Sequence, residues 1–487
     1  MNWKWNGLLL VAITGSLGWI IATRSQSQDP PKPVEKTAFG AVGDGKADDT
    51  AAIQRAIDEG RGTISLPRGI YRLTKPLLVD LDKTGFTSIE GHGTARLLMD
   101  GPGAAIRFVG THAGTADPVT IKAPVWDRQR APMVEGLEIV GNHPEACGIE
   151  AEGTMQITLS RLVVRKTLNA VRLYKRNRNV IISDCHLYEN RGIGVFLDDV
   201  DLHQINVIGS HVSYNAGGGI VSIKGNVRNL QITGCDIEAN MALPTGPATA
   251  NIFIDATGSD FGTGEVAITG CTVQHTGKAA GCANVHIRGL SNPGKDMPVV
   301  RQGHVTITGN VFSDVRVNVH LESCRGVVIS GNTFWEGFDH NLLVEDSHSV
   351  VVGPNSMDRN PHYDRFGNSR DAKNDVVFKN CEDCNVSGLH LTNVRKTEAS
   401  MTVGNSKRFN ITGCTILDGD AIGVMLTETS DSKVSGCVIL DARPGDKKTP
   451  SIRVTGGRGN MVTDNLLGGA VEADPASGLV ERNQVKK

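Results

Sequence analysis

The chain of 487 residues is poor in aromatic side chains, with Phe, Tyr and Trp together at 5%, and it has no excess of either charge. With so few bulky anchors, a helical bundle packed on large core side chains is disfavoured against a chain of short strands. Lys plus Arg number 50 against 52 for Asp plus Glu. No chain-wide field therefore selects nucleic acid or an anionic membrane as partner, and any charged site has to be local. What the chain holds in quantity is glycine, 57 residues, well above the usual ~7%, so turns are many. Length alone suggests two or three domains, a prior that single-domain repeat folds break.

The first residues, "MNWKWNGLLLVAITGSLGWIIATRSQSQDPPKP", join one lysine to an apolar run from Gly7 to Thr23 and then a polar linker with prolines. This reads as an export segment, a cleaved signal peptide in preference to a membrane anchor through residues 7–23. The run is shorter than the ~20 residues of a full span, and no clean A-x-A site follows it. No cysteine follows it either, which argues against a lipoprotein. Residues 1–35 are therefore set apart from the fold. The expected location is secreted or cell envelope.

Self-similarity settles the architecture. One phrase recurs: "VIISDCHLYEN" from Val180, "LQITGCDIEAN" from Leu230, "VAITGCTVQHT" from Val266, "VTITGNVFSDV" from Val305, "VVISGNTFWEG" from Val327 and "FNITGCTILDG" from Phe409. Spacings run from about 22 to 39 residues, the short ones setting the period and the long ones carrying loops. Each phrase holds two strand-like pieces joined at a Gly-Cys or Gly-Asn corner. A third piece precedes it, as in "ANIFID", "ANVHIR", "VNVHLE" and "HNLLVE". Three short strands per repeat make one coil of a parallel β-helix, and parallel crossovers of this kind are right-handed. The expected fold is all-β: a right-handed parallel β-helix of about 12 coils with a short N-terminal capping helix. The coils are expected over 36–475, with 36–110 as cap and first coils and 476–487 as a polar tail. Val285 with Ile287 and Val319 with Leu321 should point inward, stacking at ~4.8 Å per coil.

Cys185, Cys235, Cys271, Cys414 and Cys437 share the corner position that Asn310, Asn332 and Asn465 fill elsewhere, so they read as a buried ladder of free thiols. Cys381 and Cys384 in "CEDC" are the one pair close enough in sequence for a local disulfide.

The stretch "FGAVGDGKADDTAAIQRAID", Phe39 to Asp58, looks like an ion or phosphate loop. Counted from Asp44, however, the twelfth position of a calcium loop holds Arg55 instead of glutamate. The lysine followed by Ser or Thr of a phosphate loop is also missing. Asp48, Asp49 or Thr50 can start a helix, and Ala52, Ile53, Ala56 and Ile57 give it one apolar face. A short helix before the first coil would close the open end of the solenoid.

Together with "GTISLPRGIYRL" and "IEGHGTARLLM", this stretch resembles the N-terminal segment of the pectate lyase-like superfamily, the group with rhamnogalacturonase and epimerase-like domains, over roughly residues 36–110. The resemblance implies a right-handed parallel β-helix, export, and action on polysaccharides, often uronate-rich, by elimination or hydrolysis. Its catalytic motifs do not carry over: N-T-D, R-I-K and D-P-H-D are absent. "GHG" at Gly91–Gly93 falls in the N-terminal segment, where His92 reads as structural.

Aligning the first strands puts outward side chains into columns. One reads Tyr174, Asp198, Lys224, Asp255, Arg288, Glu322, Glu345, Lys379. Its neighbour reads Arg172, Phe196, Ser222, Phe253, His286, His320, Leu343. Long insertions at Asn240, Ala256, Gly289 and Ser356 precede or follow first strands and would wall this face into a groove. Trp335 and Tyr363 offer sugar-stacking surfaces, with Asp198, Lys224 and Glu345 as further substrate contacts. The expected catalytic centre is Asp255, His286, Arg288, His320 and Glu322, with polysaccharide as partner. For a lyase, Arg288 with Lys224 would neutralise a uronate carboxylate and His286 or His320 would be the base. For a hydrolase, Asp255 and Glu322 stand roughly 9.6 Å apart by coil spacing and Glu322 and Glu345 roughly 4.8 Å, which permits either stereochemistry. A glycan-binding surface module without turnover is the alternative. No metal site is compelled, calcium at Asp198 or Asp255 being the one cofactor considered. Either a monomer or a trimer is compatible with the sequence.

Overall fold

The computed structural model describes residues 37–241, 246–277, 279–292, 298–363, 368–443 and 449–486. Residues 1–35, expected to be an export segment, and the 7–23 run within them lie outside these ranges. Among the described residues no helix is long and apolar enough to cross a membrane.

Short strands of alternating burial wind into a parallel solenoid. One interior ladder runs Ile220, Ile252, Val285, Val319, Leu342, Val376, Met401, Val424, Ile452, each paired in register with the next. All are buried. A second passes from Ile237 through Val273, Phe312, Phe334, Met357 and Leu391 to Ile416. Parallel strands this close in sequence need a crossover on each turn, which is right-handed for twisted strands of L-residues. Among the described strands the one antiparallel pair is Leu290–Ser291 with Val300–Arg301, a ribbon inside an insertion.

The corners follow from chemistry at the recurring Gly-Cys and Gly-Asn. Gly234, Gly270, Gly309 and Gly331 take φ of 61, 66, 67 and 71°, the left-handed region where a side chain is strained. The residue after each turns into the core. All ten cysteines are free and buried. Cys381 and Cys384 form no disulfide. Their thiols donate to separate carbonyls, Cys381 to Lys379 at 3.1 Å and Cys384 to Glu382 at 3.3 Å.

Another corner carries a continuous amide ladder. The Nδ2 of each asparagine donates to the Oδ1 of the next from Asn190 through Asn215, Asn240, Asn251, Asn284 and Asn318 to Asn341, at 2.7 to 2.9 Å. These side chains are buried, so each bond replaces water that the site excludes. The column is thus part of the core and faces no groove.

The N-terminal loop closes on itself. Asp49 accepts from Val42 N at 2.6 Å and Gly43 N at 3.1 Å, and Asp44 from Lys46 N and Ala47 N, both at 2.8 Å. Asp48 accepts from Thr50 N at 3.0 Å and Thr74 Oγ1 at 2.7 Å. Asp49 stands at the N-cap without capping through its side chain, because its carboxylate is spent on the preceding loop. The helix Thr50–Asp58 then buries Ile53, Ala56 and Ile57 against the first coils. At the other end, strand pairing extends further than the sequence reading: Val462 pairs with Val480 and Leu467 with Val485, so residues 476–485 belong to the coils.

The amide ladder generates a test. Replacing Asn318 by Ala removes the acceptor of one N–H of the Asn284 amide, which keeps its bond to Ser313 O, and the donor to the Asn341 carbonyl oxygen, and should cost about 1–3 kcal/mol in urea unfolding. A loss below about 0.5 kcal/mol would show that the ladder does not hold the coils together.

Candidate functional site on the first-strand face

The strands Ala250–Asp255, Ala283–Arg288, Val311–Glu322, Gly337–Glu345 and Val376–Lys379 lie rung on rung. Their registers pair Phe253 with His286, His286 with His320 and His320 with Leu343. In the neighbouring column Asp255 pairs with Arg288, Arg288 with Glu322, Glu322 with Glu345 and Glu345 with Lys379. Period-two alternation puts both columns outward once Val285 and Ile287 point in.

This register brings five expected catalytic residues together with Glu345. The imidazoles of His286 and His320 stack with centroids 4.3 Å apart and planes 13° from parallel. Each turns Nε2 toward a carboxylate of the next rung: His286 to Glu322 Oε2 at 3.4 Å, His320 to Glu345 Oε2 at 3.0 Å. Arg288 reaches Glu322 at 3.1 Å and Asp255 at 3.5 Å, while Lys379 reaches the other oxygen of Glu345 at 3.4 Å.

The surroundings sort the protonation states. Phe253 lies 5.2 Å from the His286 ring, and on the far side Leu343 follows His320 in the column. Outward Ala250, Ala283, Val317, Leu343 and Val377 form an apolar cluster of their own, with Phe253 packed against it. Burial first, and His286 second, lower the pKa of His320, so its ring is neutral near pH 7. The hydrogen bond with His286 first, then Arg288, holds Glu322 down to about 2, so it is ionised.

Other expected residues stand apart. Asp198 is in the same column two rungs earlier, where Arg172 holds it with Nε at 2.8 Å and Nη2 at 2.6 Å. Lys224 is not in the column: Asp198 pairs with Ile223, and Ile223 with Asp255. Likewise Val221, in place of Ser222, pairs with Phe196 and Phe253. The inversion arises because Ser222 points inward, its hydroxyl bonded to Thr263 Oγ1 at 3.0 Å, which leaves two aliphatic side chains outside. There Val221, Ile223 and Phe253, with Gly246–Ala250 of an insertion, line a cavity of about 460 Å³. Trp335, on the corner leading into Gly337–Glu345, meets Tyr363 of an insertion with ring centroids 4.6 Å apart and planes tilted by 30°, and neither belongs to either column.

Asp198 and Asp255, the carboxylates considered for calcium, do not converge on one point. They are two rungs apart and each faces a guanidinium, whereas calcium gathers six to eight oxygens. One group among the described residues has donor atoms within 4.8 Å of one another, His286, His320 and Glu322. Its two imidazoles are a nitrogen-rich set unsuited to that ion.

The sequence reading missed two neighbours. His340 occupies the outward column of Ala283 and Val317, with Nδ1 2.8 Å from Asp375 of an insertion. Asp375 lies far from the repeat phrases, so only tertiary structure joins them. Glu336, at the Trp335 corner, is buried and hydrogen-bonded to Asp314. Burial first, then that carboxylate, push its pKa up to about 8.

Comparison with known proteins agrees with this architecture. Residues 34–129 match the family described as rhamnogalacturonase A/epimerase, pectate lyase-like. Residues 132–273 match the right-handed β-helix region, and residues 262–399 match the periplasmic copper-binding protein NosD. The middle match agrees with the right-handed parallel β-helix of the structure, and the pectate lyase-like match is confined to the N-terminal segment. Among curated proteins it is 60% identical over 40 residues to mannuronan C5-epimerase AlgE3 of Azotobacter vinelandii, a match covering 7% of this chain and 2% of that protein. Among solved structures, tailspike protein 3 of bacteriophage CBA120 is 13% identical, with 91% of this chain and 60% of that chain covered and a TM-score of 0.40. The A-module of mannuronan C-5 epimerase AlgE6 from A. vinelandii is 14% identical, with 92% and 98% covered and a TM-score of 0.31. The chain thus spans less than two thirds of the tailspike and a small part of AlgE3.

Glu336 supplies a pH test. Its folded pKa lies above the unfolded value, so its contribution is intact below the unfolded value of 4.5 and is lost as pH rises toward about 8. Glu336→Gln keeps a donor toward Asp314 and does not titrate. Its stability relative to wild type should therefore grow between those limits, on the order of 5 kcal/mol in all, and then level off. Parallel stability curves for the two proteins across that range would refute the assignment.

Proposed function

We propose that this protein acts on uronate-containing polysaccharide laid along the first-strand face, and that the reaction starts by removing the proton α to a uronate carboxylate. The observation that carries this reading is a neutral, largely buried His320, held at Nε2 by Glu345 at 3.0 Å, on the same strand as an ionised Glu322. A two-carboxylate hydrolase needs one carboxylic acid whose pKa is raised so that it can donate. Glu322 is held the opposite way. A neutral imidazole is instead a competent base.

In the neutral ring, a hydrogen bond to the Glu345 carboxylate puts the proton on Nε2 and leaves the lone pair on Nδ1. Glu345, steadied by Lys379, is thus a positioning residue for the His320 base. Arg288 would neutralise the uronate carboxylate and acidify the α-proton, exchanging part of its contact with Glu322 for the substrate. As Nδ1 takes the proton, the electron pair left on carbon expels the glycosidic oxygen at the β-position. That oxygen takes a proton from solvent as it leaves, the product gains a carbon–carbon double bond between the α and β positions, and the proton on Nδ1 then passes to solvent. The apolar surfaces of Phe253 and the adjoining cavity would receive sugar faces.

The match to a mannuronan C5-epimerase favours a second outcome from the same first step: reprotonation of that carbon on its opposite face, without chain cleavage. Export, expected from the N-terminal run, fits a polymer substrate outside the cytoplasm, and the NosD family's description as periplasmic points the same way.

Incubation with a panel of uronate polymers separates the readings. Elimination gives short-wavelength ultraviolet absorbance from the double bond conjugated to the carboxylate. Epimerisation gives solvent-deuterium incorporation without cleavage. His320→Ala and Arg288→Ala should each lower kcat/KM by at least about 100-fold with the melting temperature nearly unchanged. Full turnover in His320→Ala, or new reducing ends without absorbance, would overturn the proposal. Retention on immobilised polymer with no turnover would assign the face to binding alone.

A further inference from the structure

One rung of the first-strand face breaks the charge pattern that runs through the rest. Because Ser222 turns inward to Thr263, the strand Gly218–Ile223 presents Val221 and Ile223 outward. Ile223 stands between Asp198 and Asp255 in the column. An aliphatic side chain thus interrupts a run of carboxylates and guanidiniums. The insertion does not seal this rung over. Val221, Ile223 and Phe253 from the coils and Pro247 and Ala248 from the insertion border the cavity of about 460 Å³. Pro247 and Ala248 are exposed and Ile223 and Phe253 half-buried, so the cavity opens to solvent.

The lining carries no charged side chain, and among the described residues Thr249 supplies its one side-chain hydroxyl. A sugar carboxylate placed here would meet Asp198 and Asp255 on the adjoining rungs. Their guanidiniums are already engaged, Arg172 holding Asp198 at 2.6 Å and Arg288 reaching Asp255 at 3.5 Å. A bare ring hydroxyl would give up water for aliphatic neighbours, an unfavourable exchange. The surface instead suits an uncharged substituent that ends in a methyl. On a chain of uronates the exocyclic carbon is the acid itself, so such a substituent is an ester on a ring hydroxyl. The simplest, O-acetyl, removes a donor and adds a methyl in one group. The volume is large enough for the pyranose as well as its acetyl, and falls within the ~300–1,000 Å³ usual for small-ligand sites.

Phe253 joins the cavity to the candidate centre. Its ring lies 5.2 Å from that of His286 and 5.6 Å from the guanidinium carbon of Arg288. From Val221 the column runs through Phe253 and His286 to His320. The cavity is therefore two to three rungs before His320, roughly 10–14 Å, and the unit it receives is a different one from the reacting sugar. We propose that this cavity is a subsite for an O-acetylated sugar, and that the protein selects uronate polysaccharide bearing acetyl esters on units outside the reacting one. This selection rests on the polymer lying along the first-strand face, and it adds which decoration that polymer carries.

Polymannuronate and polygalacturonate supply the test, each as a chemically O-acetylated polymer and as the same preparation after saponification. The two forms carry the same charge, so the electrostatics of the face cancel in the comparison. In calorimetric titration the full chain should hold the acetylated form at least about tenfold more tightly, the discrimination that an apolar pocket gives one small group. Ile223→Gln, and Ala248→Glu at the exposed rim, should each bring that ratio close to one. Equal affinity for the two forms, tighter binding of the saponified form, or an undiminished ratio in both variants would overturn the subsite, even where both forms are turned over. A preference for the acetylated form without turnover upholds the subsite and removes the elimination chemistry. Binding of neither polymer in either form removes both. Tighter binding of an unacetylated polymer containing 6-deoxyhexose than of the acetylated homopolymers overturns the acetyl assignment in favour of a ring methyl.

Discussion

In-register stacking of parallel rungs is the constraint on which everything else in this protein depends. At one rung per ~4.8 Å, a residue type repeated at one position becomes a continuous column, whatever its chemistry. Aliphatic columns make the core, asparagine columns satisfy each other's amides, and thiols fill a corner too dry for water. The same rule applied to the outer face sets two imidazoles in contact and threads a guanidinium between two carboxylates. Such a site is organised by the backbone, with little left to rotamer choice.

Stacking also explains why the candidate centre is electrostatically polarised. Opposite charges one rung apart pair, as Arg288 does with Glu322 and Lys379 with Glu345. The histidines have apolar rungs on both sides, Phe253 before and Leu343 after. Burial works against the charged imidazole while the ion pairs favour the charged carboxylates, so the two columns are driven to opposite behaviour within one patch.

Much of this was readable from spacing. The coil repeat, the inward Val285 and Ile287, the corner thiols and the contiguity of Asp255, Arg288, Glu322, His286 and His320 follow from period two and the recurring phrase. Three features were not readable, each for its own reason. At "GGGIVSIKG" the aliphatic residues suggested the interior, yet Ser222 takes it because Thr263 supplies a partner; polarity predicts the outside only where no buried partner exists. His340 with Asp375, and Glu336 with Asp314, join residues brought together by an insertion and a turn, and no local pattern announces either. Nothing in "RLYKRNRN" announces that Arg178 is covered, because the segment whose carbonyls it meets lies some sixty residues upstream in sequence.

The thiols have a consequence of their own. Each of the ten is shut between the strands of its own coil and those of its neighbours, from Cys147 near one end of the solenoid to Cys437 near the other. A reagent reaches a given sulfur only when that stretch of the cylinder has parted, so the molecule carries a graduated series of internal gauges. Read in order along the chain, their reactivities would report whether the cylinder frays from its tips or gives way in the middle.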